Sequence, residues 1–522
     1  MSASAVRMVT PFVETPKGYT HLATSGNSSL YQVELASSSM PGQQYSTAPC
    51  VVDLHGTHFE IGYDYAALLH TQTADTFRSF LTSIYPSSQD QELIMKFADF
   101  CWDSWLSKNT PQRFLDELAG MQAYYAAVGH PDTSGNYSLA NATAYEVSRR
   151  FFTLANMPAD TVNIISMLEQ ELEQGWPQWL KTVINDIIKL LEKWHHSCDA
   201  YGVWGSRTQD SLLYSSRNLD YASDTGINAH KLIQVFNIDD PKYGGVPPGG
   251  VYASIGFAFG PGALAGMSEV GITTSEMNLD NSVVTFSGVP FPLRLRYVLE
   301  EATNLESAMT VWNATNNTNS FNFLIGSAPD ALKYKASPSP AINGAFALET
   351  IMDFTAQFPA NSSIERAATF YCKGNACQSW TNQTGEVHIG SPLPEAVWRT
   401  NHGFNPRVMA TQEPLFNNTV FRYNIMHDLF ENLAAEGTLI DDHVAIGIVA
   451  TLGTKGVDYF TCDQDFGHAD NIMSIAYAPG PRTPNAPSSA GHMYIAWESG
   501  GGSSWRPAAC SPYMMFDLAA WL

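Results

Sequence analysis

The feature that most restricts the fold is a change of hydrophobic rhythm near residue 197. Between about residues 60 and 195, apolar residues recur every three or four positions, as in FEIGYDYAALLHTQTADTFRSFL, QDQELIMKFADFCWDSWL and PQRFLDELAGMQAYYAAVG. That spacing predicts helices. The clearest amphipathic stretch is WLKTVINDIIKLLEKWHH (179–196), with Ile184, Ile187, Ile188, Leu191 and Trp194 on one side. From Cys198 the pattern shortens: CDAYGVWGS, RTQDS and LLYSSRNLDY read as strand, turn and strand. Further short apolar runs follow at 232–238, 250–259, 271–279, 321–328 and 492–497. Helical interruptions are expected at 293–315 and 422–436, while HVAIGIVATL (443–452) has the length of a buried strand or a core helix. Helices followed by many strands, with helices inserted between them, predict a layered α+β fold. The chain divides into a mostly helical portion, 1–197, and a strand-rich portion, 198–522.

Composition narrows the function classes. Hydrophobic residues make up 44% and aromatics 12% of the 522 residues, enough for a sizeable core and too much for a mainly disordered chain. The net charge of −23 repels phosphate backbones and anionic membrane surfaces, so nucleic-acid binding is excluded as a working hypothesis. No apolar run approaches the roughly 18 residues of a spanning helix. The opening MSASAVRMVTPFVETPKG has no apolar stretch of the kind a secretory leader carries. GPGALAG (260–266) lacks a phosphate-binding context and reads as a turn.

The seven cysteines weigh towards an oxidising compartment. Six could pair and leave one reactive thiol, and Cys372 with Cys377 in YCKGNAC is the easiest local disulfide. A metal site there lacks a second ligand pair, and no metal or cofactor is expected. Sequons at Asn27, Asn136, Asn141, Asn313, Asn316, Asn361, Asn382 and Asn417 add weak support for a glycosylated, secreted or lysosome-like lumenal setting.

Cys198 is the candidate nucleophile. It opens the first strand after the helical region, and the proposed hairpin returns Arg217 and Asp220 of RNLD towards it. A nearby Arg favours thiolate over thiol, and a carboxylate can anchor an ammonium group. The bland reading, a buried structural cysteine, is the common one for an isolated thiol.

A run of segments in order resembles the penicillin acyltransferase-like group of cysteine N-terminal-nucleophile (Ntn) hydrolases. That group is related to choloylglycine hydrolases and acid ceramidase-like amidases. HGTHFEIGYDYAALL (55–69) resembles its G-x-x-x-E-x-G segment, and HSCDAYGVWGS with LLYSSRNLDY resembles its nucleophile hairpin. GALAGMSEVGITTSEMNLDN (262–281), FNFLIGSA (321–328), WRTNHGFNP (398–406) and NTVFRYNIMHDLF (418–430) resemble later core segments. Ser268 departs from the usual Asn of G-M-N-E, the hairpin turn is long, and the N-terminal portion is large.

The resemblance implies a four-layer αββα sandwich and a precursor that cuts itself between Ser197 and Cys198, its two chains staying associated. Cys198 would then supply both the thiol and, through its freed α-amine, the base. The resemblance further implies that Asn401 and Asn278 stabilise the oxyanion, Asp220 holds the amine, Arg217 orients nucleophile or substrate, and Arg422 contributes. His195 and His196 read as structural, and His402 as a loop-shaping residue. The expected reaction is hydrolysis or acyl transfer at a linear amide of an N-acyl lipid or N-acyl amino compound, through a cysteine thioester. A phospholipase B-like ester hydrolase and a non-catalytic lumenal binding protein are the alternatives.

Overall fold

The computed structural model describes residues 8, 12–36, 48–130, 137–156, 196–221, 223–279, 281, 285–372, 385–412, 417–453, 471–481, 490–500 and 505–522. The strands of the first portion are β1 (Val13–Glu14), β2 (Gly18–Ser25), β3 (Ser28–Glu34) and β4 (Cys50–Gly56). Next come β5 (His196–Val203), β6 (Tyr214–Tyr221), β7 (Lys231–Ile238), β8 (Tyr252–Phe257), β9 (Ala265–Ser268) and β10 (Ile272–Asn278). They continue with β11 (Phe321–Ser327), β12 (Ala345–Ile351), β13 (Phe354–Phe358), β14 (Thr369–Cys372) and β15 (Gly385–His388). The last are β16 (Ala396–Arg399), β17 (Asn471–Pro479), β18 (Gly491–Trp497) and β19 (Tyr513–Asp517).

Among the described residues one sheet has seven strands in the order β1-β19-β18-β17-β6-β5-β16. A second has ten, in the order β13-β12-β11-β10-β9-β8-β7-β4-β3-β2. The sheets face each other where β10, β11 and β12 pack on β5, β6 and β16. Their central strands β6, β8, β10, β11 and β17 are buried at every residue, because each has a sheet on one face and helices on the other.

The longer helices are α1 (His58–Ile84), α2 (Ser88–Cys101), α3 (Gln112–Ala127) and α4 (Ala144–Leu154). They continue as α5 (Phe291–Glu301), α6 (Leu305–Asn313), α7 (Ala328–Ala336), α8 (Asn417–Glu436) and α9 (Asp442–Gly453). Helix α1 packs on β4, and α5 on β9 and β10, which covers the ten-stranded sheet. Helix α9 packs on β6 and β17 and covers the other sheet. The architecture is therefore α+β in four layers, αββα, as expected.

Local chemistry explains how the first layer is built. Thr57 and Glu60 form a capping box at the start of α1. Gly62 lets α1 approach α3, since a Cβ there would lie 1.8 Å from the Glu117 carbonyl oxygen. The G-x-x-x-E-x-G segment thus serves helix initiation and close helix packing. At the same layer Arg296 of α5 donates to Glu117 of α3 at 2.6 and 2.8 Å and to Glu300 at 3.1 Å, all three fully buried.

Several expectations need correction. The first portion is not simply helical: β2, β3 and β4 extend the ten-stranded sheet, β4 pairing parallel with β7, and β1 pairs parallel with β19. The division at 197/198 falls inside β5, whose first residue is His196. Residues 179–195 of the anticipated amphipathic helix, including His195, lie outside the described residues. The expected helix at 293–315 is two, because Asn304 caps a new one. Cys50, Cys101 and Cys198 remain thiols, so the seven cysteines cannot form three disulfides. Cys377 also lies outside the described residues.

Candidate active site

The β5–β6 hairpin sets the geometry. Cys198 pairs with Leu219, Ser197 with Asp220, and Asp199 with Asn218, with no break in register. Directly paired residues of antiparallel strands point to the same face, and successive residues alternate. Cys198 therefore shares a face with Arg217, which looks into the space between the sheets and reaches Glu276 of β10. Ser197, Asp199, Asn218 and Asp220 point the other way, towards α8 and α9. Asn218 accordingly donates to Asp199 at 2.9 Å and to the Val449 carbonyl of α9 at 2.8 Å.

Cys198 is 1% exposed. Burial pushes its thiol up to about 12, Arg217 pulls it down, and Glu276 and Asp220 push it up further. Arg217 stands on the same strand face as Cys198, two residues along from that cysteine's partner Leu219. Its Nη2 donates to Glu276 Oε2 at 3.0 Å, and Nη1 to the Asn218 carbonyl. Burial pushes Glu276 up to about 7 even though Arg217 counters it. Asp220 is close enough to act on the thiol by its charge, and it accepts from Asn471 Nδ2 at 2.9 Å.

The other side of the Cys198 backbone is held by the segment after β16 and by α8. Asn401 Oδ1 accepts from the Cys198 amide at 2.8 Å and from Arg422 Nη2 at 2.6 Å. Asn401 Nδ2 donates to the Asn278 carbonyl at 2.7 Å. Arg422 also donates to the Cys198 carbonyl at 2.5 Å, Ser197 Oγ at 2.6 Å, Asp199 Oδ2 at 3.1 Å and Asn418 Oδ1 at 2.6 Å. One guanidinium thus contacts residues on both sides of the Ser197–Cys198 bond.

Each residue singled out from the sequence is therefore accounted for. Asn401 and Arg422 meet at the Cys198 backbone in the first residues of β5, and Arg217 stands on the thiol's strand face. Asn278 joins through its carbonyl, and Asp220 lies on the opposite strand face from the thiol. His402 is fully buried, its Nδ1 2.9 Å from Thr419 Oγ1; burial, then Arg399 and Arg422, lower it to about 3. A neutral ring at that depth fastens the 400–402 segment to α8. Asp199, Asn218, Glu276, Asn418 and Asn471 were missed as site residues, although all but Asn471 stood inside segments quoted for the resemblance. Among the described residues no group of His, Cys, Asp and Glu side chains is arranged to hold a metal ion.

A cavity of about 850 Å³ lies beside the same loop, lined by Ile364, Phe370, Phe404, Met409, Ala410 and Gln412 among others. None of Cys198, Arg217, Asp220, Asn278, Asn401 and Arg422 lines it, and Gln412 Oε1 accepts from the Gly403 amide at 2.6 Å.

A two-sheet sandwich with a cysteine held near the start of an inner strand is the arrangement that the sequence resemblance to Ntn hydrolases implies. Residues 207–445 match the family model for acyl-coenzyme A:6-aminopenicillanic acid acyl-transferase. Over that segment the chain is similar to the penicillin acyltransferase-like family. The segment includes Arg217, Asp220, Asn278, Asn401 and Arg422, and begins nine residues after Cys198.

No curated protein matches the chain. Among solved structures, it is similar to a Caenorhabditis elegans N-acylethanolamine-hydrolyzing acid amidase ortholog, with 13% identity and a TM-score of 0.34. That alignment covers 57% of this chain and 99% of the other. A variant of conjugated bile acid hydrolase from Clostridium perfringens gives 13% identity and a TM-score of 0.32, over 57% of this chain and 89% of the other. Scores this low bear on no residue's role.

Proposed function

We propose that the chain is a self-processing amidohydrolase or acyltransferase whose nucleophile is Cys198. The observation that carries this reading is the clamp of Asn401 and Arg422 on the Ser197–Cys198 bond, with the thiol on the Arg217 side. In the first step the Cys198 sulfur attacks the Ser197 carbonyl carbon, the C–N bond breaks, and water hydrolyses the resulting thioester. Ser197 is left with a carboxylate and Cys198 with a free amine.

That amine has an unperturbed pKa of about 8, far better suited to accepting the thiol's proton than a lysine. The thiolate then attacks an amide carbonyl, and the departing amine takes the proton. Water or an acceptor amine resolves the acyl-enzyme. The oxyanion would be stabilised by Asn401 Nδ2 and Asn278, once Asn401 Nδ2 leaves the Asn278 carbonyl. Asp220 would hold the ammonium form. The apolar walls of the cavity beside Phe404 would suit the acyl part of an N-acyl lipid or N-acyl amino compound.

The deciding experiment compares the parent with Cys198→Ala on denaturing gels. The parent is expected to give two fragments, of about 22 and about 36 kDa when 57.2 kDa is shared by length, and the variant one band. Two fragments from both proteins would remove Cys198 from the reaction. Panels of N-acyl amides and of esters then separate amidase from esterase. The proposed setting is a secretory or lysosome-like lumen; a gel shift after N-glycosidase treatment supports it, and unglycosylated native protein in cytosol overturns it.

A further inference from the structure

Arg217 and Glu276 form an ion pair between the two sheets, the arginine on β6 and the glutamate on β10, with side chains 0% and 7% exposed. The guanidinium has only a few places to go. One Nη is held by the Asn218 carbonyl of its own strand, the other by Glu276, and Cys198 stands on the same face of the β5–β6 hairpin. Such a buried pair is costly to desolvate, so its stabilising value is small. A functional reason for retaining it is its place on the strand face of the candidate nucleophile.

We propose that Glu276 is a positioning residue that holds the Arg217 guanidinium on the Cys198 side of the hairpin and, by its own negative charge, limits how much thiolate that guanidinium can stabilise. The inference rests on Cys198 as nucleophile and adds a residue that touches neither substrate nor sulfur. Two properties of Glu276 are separable. Its length sets where Arg217 sits, and its charge opposes that of the thiolate. The charged and titratable groups around the pair are Cys198 and Asp199 of β5, Asp220 of β6 and Tyr477 of β17. None of these is an alternative carboxylate partner for Nη2 among its hydrogen bonds.

The test uses Glu276→Gln and Glu276→Asp in the full chain. Alkylation of Cys198 by chloroacetamide at pH 8 is followed by peptide mass spectrometry, with Cys50 in the same digest as the reference thiol. The Gln variant keeps an acceptor at the same reach and removes the charge. Its Cys198 is expected to react roughly tenfold faster, which corresponds to about one pKa unit. The Asp variant keeps the charge and draws Arg217 away from the sulfur, so Cys198 is expected to react several-fold more slowly. Rates moving in opposite directions support the proposal, because a role confined to packing would move both the same way. Equal rates, or shifts of one sign, overturn it. If the Asp variant does not fold, the Gln variant decides alone: a faster rate supports the role and an unchanged or slower one removes it. The gel assay is read separately. An uncut parent with opposite rate shifts removes self-processing and keeps Glu276, and a cut parent with unchanged rates does the reverse.

Discussion

The amide nitrogen of Cys198 donates to Asn401 Oδ1 at 2.8 Å, so one side-chain oxygen already sits on the atom that scission would convert into an amine. The same oxygen accepts from Arg422, which fixes it in place. Asn401→Ala removes this acceptor and the adjacent donor together. The turnover rate on an amide substrate is expected to fall by about 10²–10³, the usual loss when one oxyanion donor is removed. Single-turnover kinetics check it, and an unchanged rate would separate Asn401 from the chemistry.

Arg422 spreads its three nitrogens over Ser197, Cys198, Asp199, Asn401 and Asn418. A lysine has one nitrogen and cannot span that set. Arg422→Lys is therefore expected to leave most of the chain uncut where the parent is fully processed. Band densities on a denaturing gel over time measure this. Complete processing at the parental rate would mean that the clamp does not align the bond.

Glu276 predicts a particular dependence of stability on pH. Burial raises its folded-state pKa from 4.5 to about 7, so the folded chain holds a proton there that the unfolded chain has released. The contribution is intact below pH 4.5 and is lost as pH rises through about 7. His402, lowered to about 3 from 6.5, acts with the opposite sign between those values, and Glu349, also raised to about 7, acts with the same sign. The difference between parent and Glu276→Gln isolates the first effect. The Gln variant should gain on the parent between pH 4.5 and pH 7 in urea titrations. A difference that stays flat with pH would show that Glu276 is not buried as a protonated acid.

Removing one partner from the Glu117–Arg296–Glu300 cluster strands buried charge. Arg296→Met is expected to cost about 3–5 kcal/mol, the penalty of breaking a buried ion pair from one side. Chemical denaturation of the Cys198→Ala background keeps processing out of the measurement. A loss under 1 kcal/mol, the range of an exposed pair, would mean that water reaches the cluster.

Much of the second portion is legible in the sequence, for a physical reason. β7, β8 and β11 are mostly buried, largely apolar runs, and such runs stand out from their surroundings. β2 does not: GYTHLATS is polar and largely half-exposed, an edge strand whose place is set by pairing with β3. The helix break at Asn304 is a capping event that hydrophobic spacing does not register. HVAIGIVATL is apolar throughout, so periodicity left it ambiguous, and it forms α9.

The site divides in the same way. Motif order brought out Cys198, Arg217, Asn401 and Arg422, of which Asn401 and Arg422 meet at the Cys198 backbone. Strand parity, which needs the register, assigns Asp220 to the face opposite the thiol. Glu276 comes from another sheet and has no sequence signal tying it to Arg217. The Asn278 carbonyl contact is likewise a backbone relationship that residue type does not encode.

The proposed cut would fall within β5 and not in a linker, while β4 upstream of it pairs along seven residues with β7 downstream. The instructions for assembling the sandwich are then written in one continuous polymer and spent once. After scission, a denatured sample would have to find its partner by diffusion and thread strands into sheets that no longer share a backbone. Heat or urea should act as a one-way door for the mature form, while the Cys198→Ala precursor regains its shape on cooling.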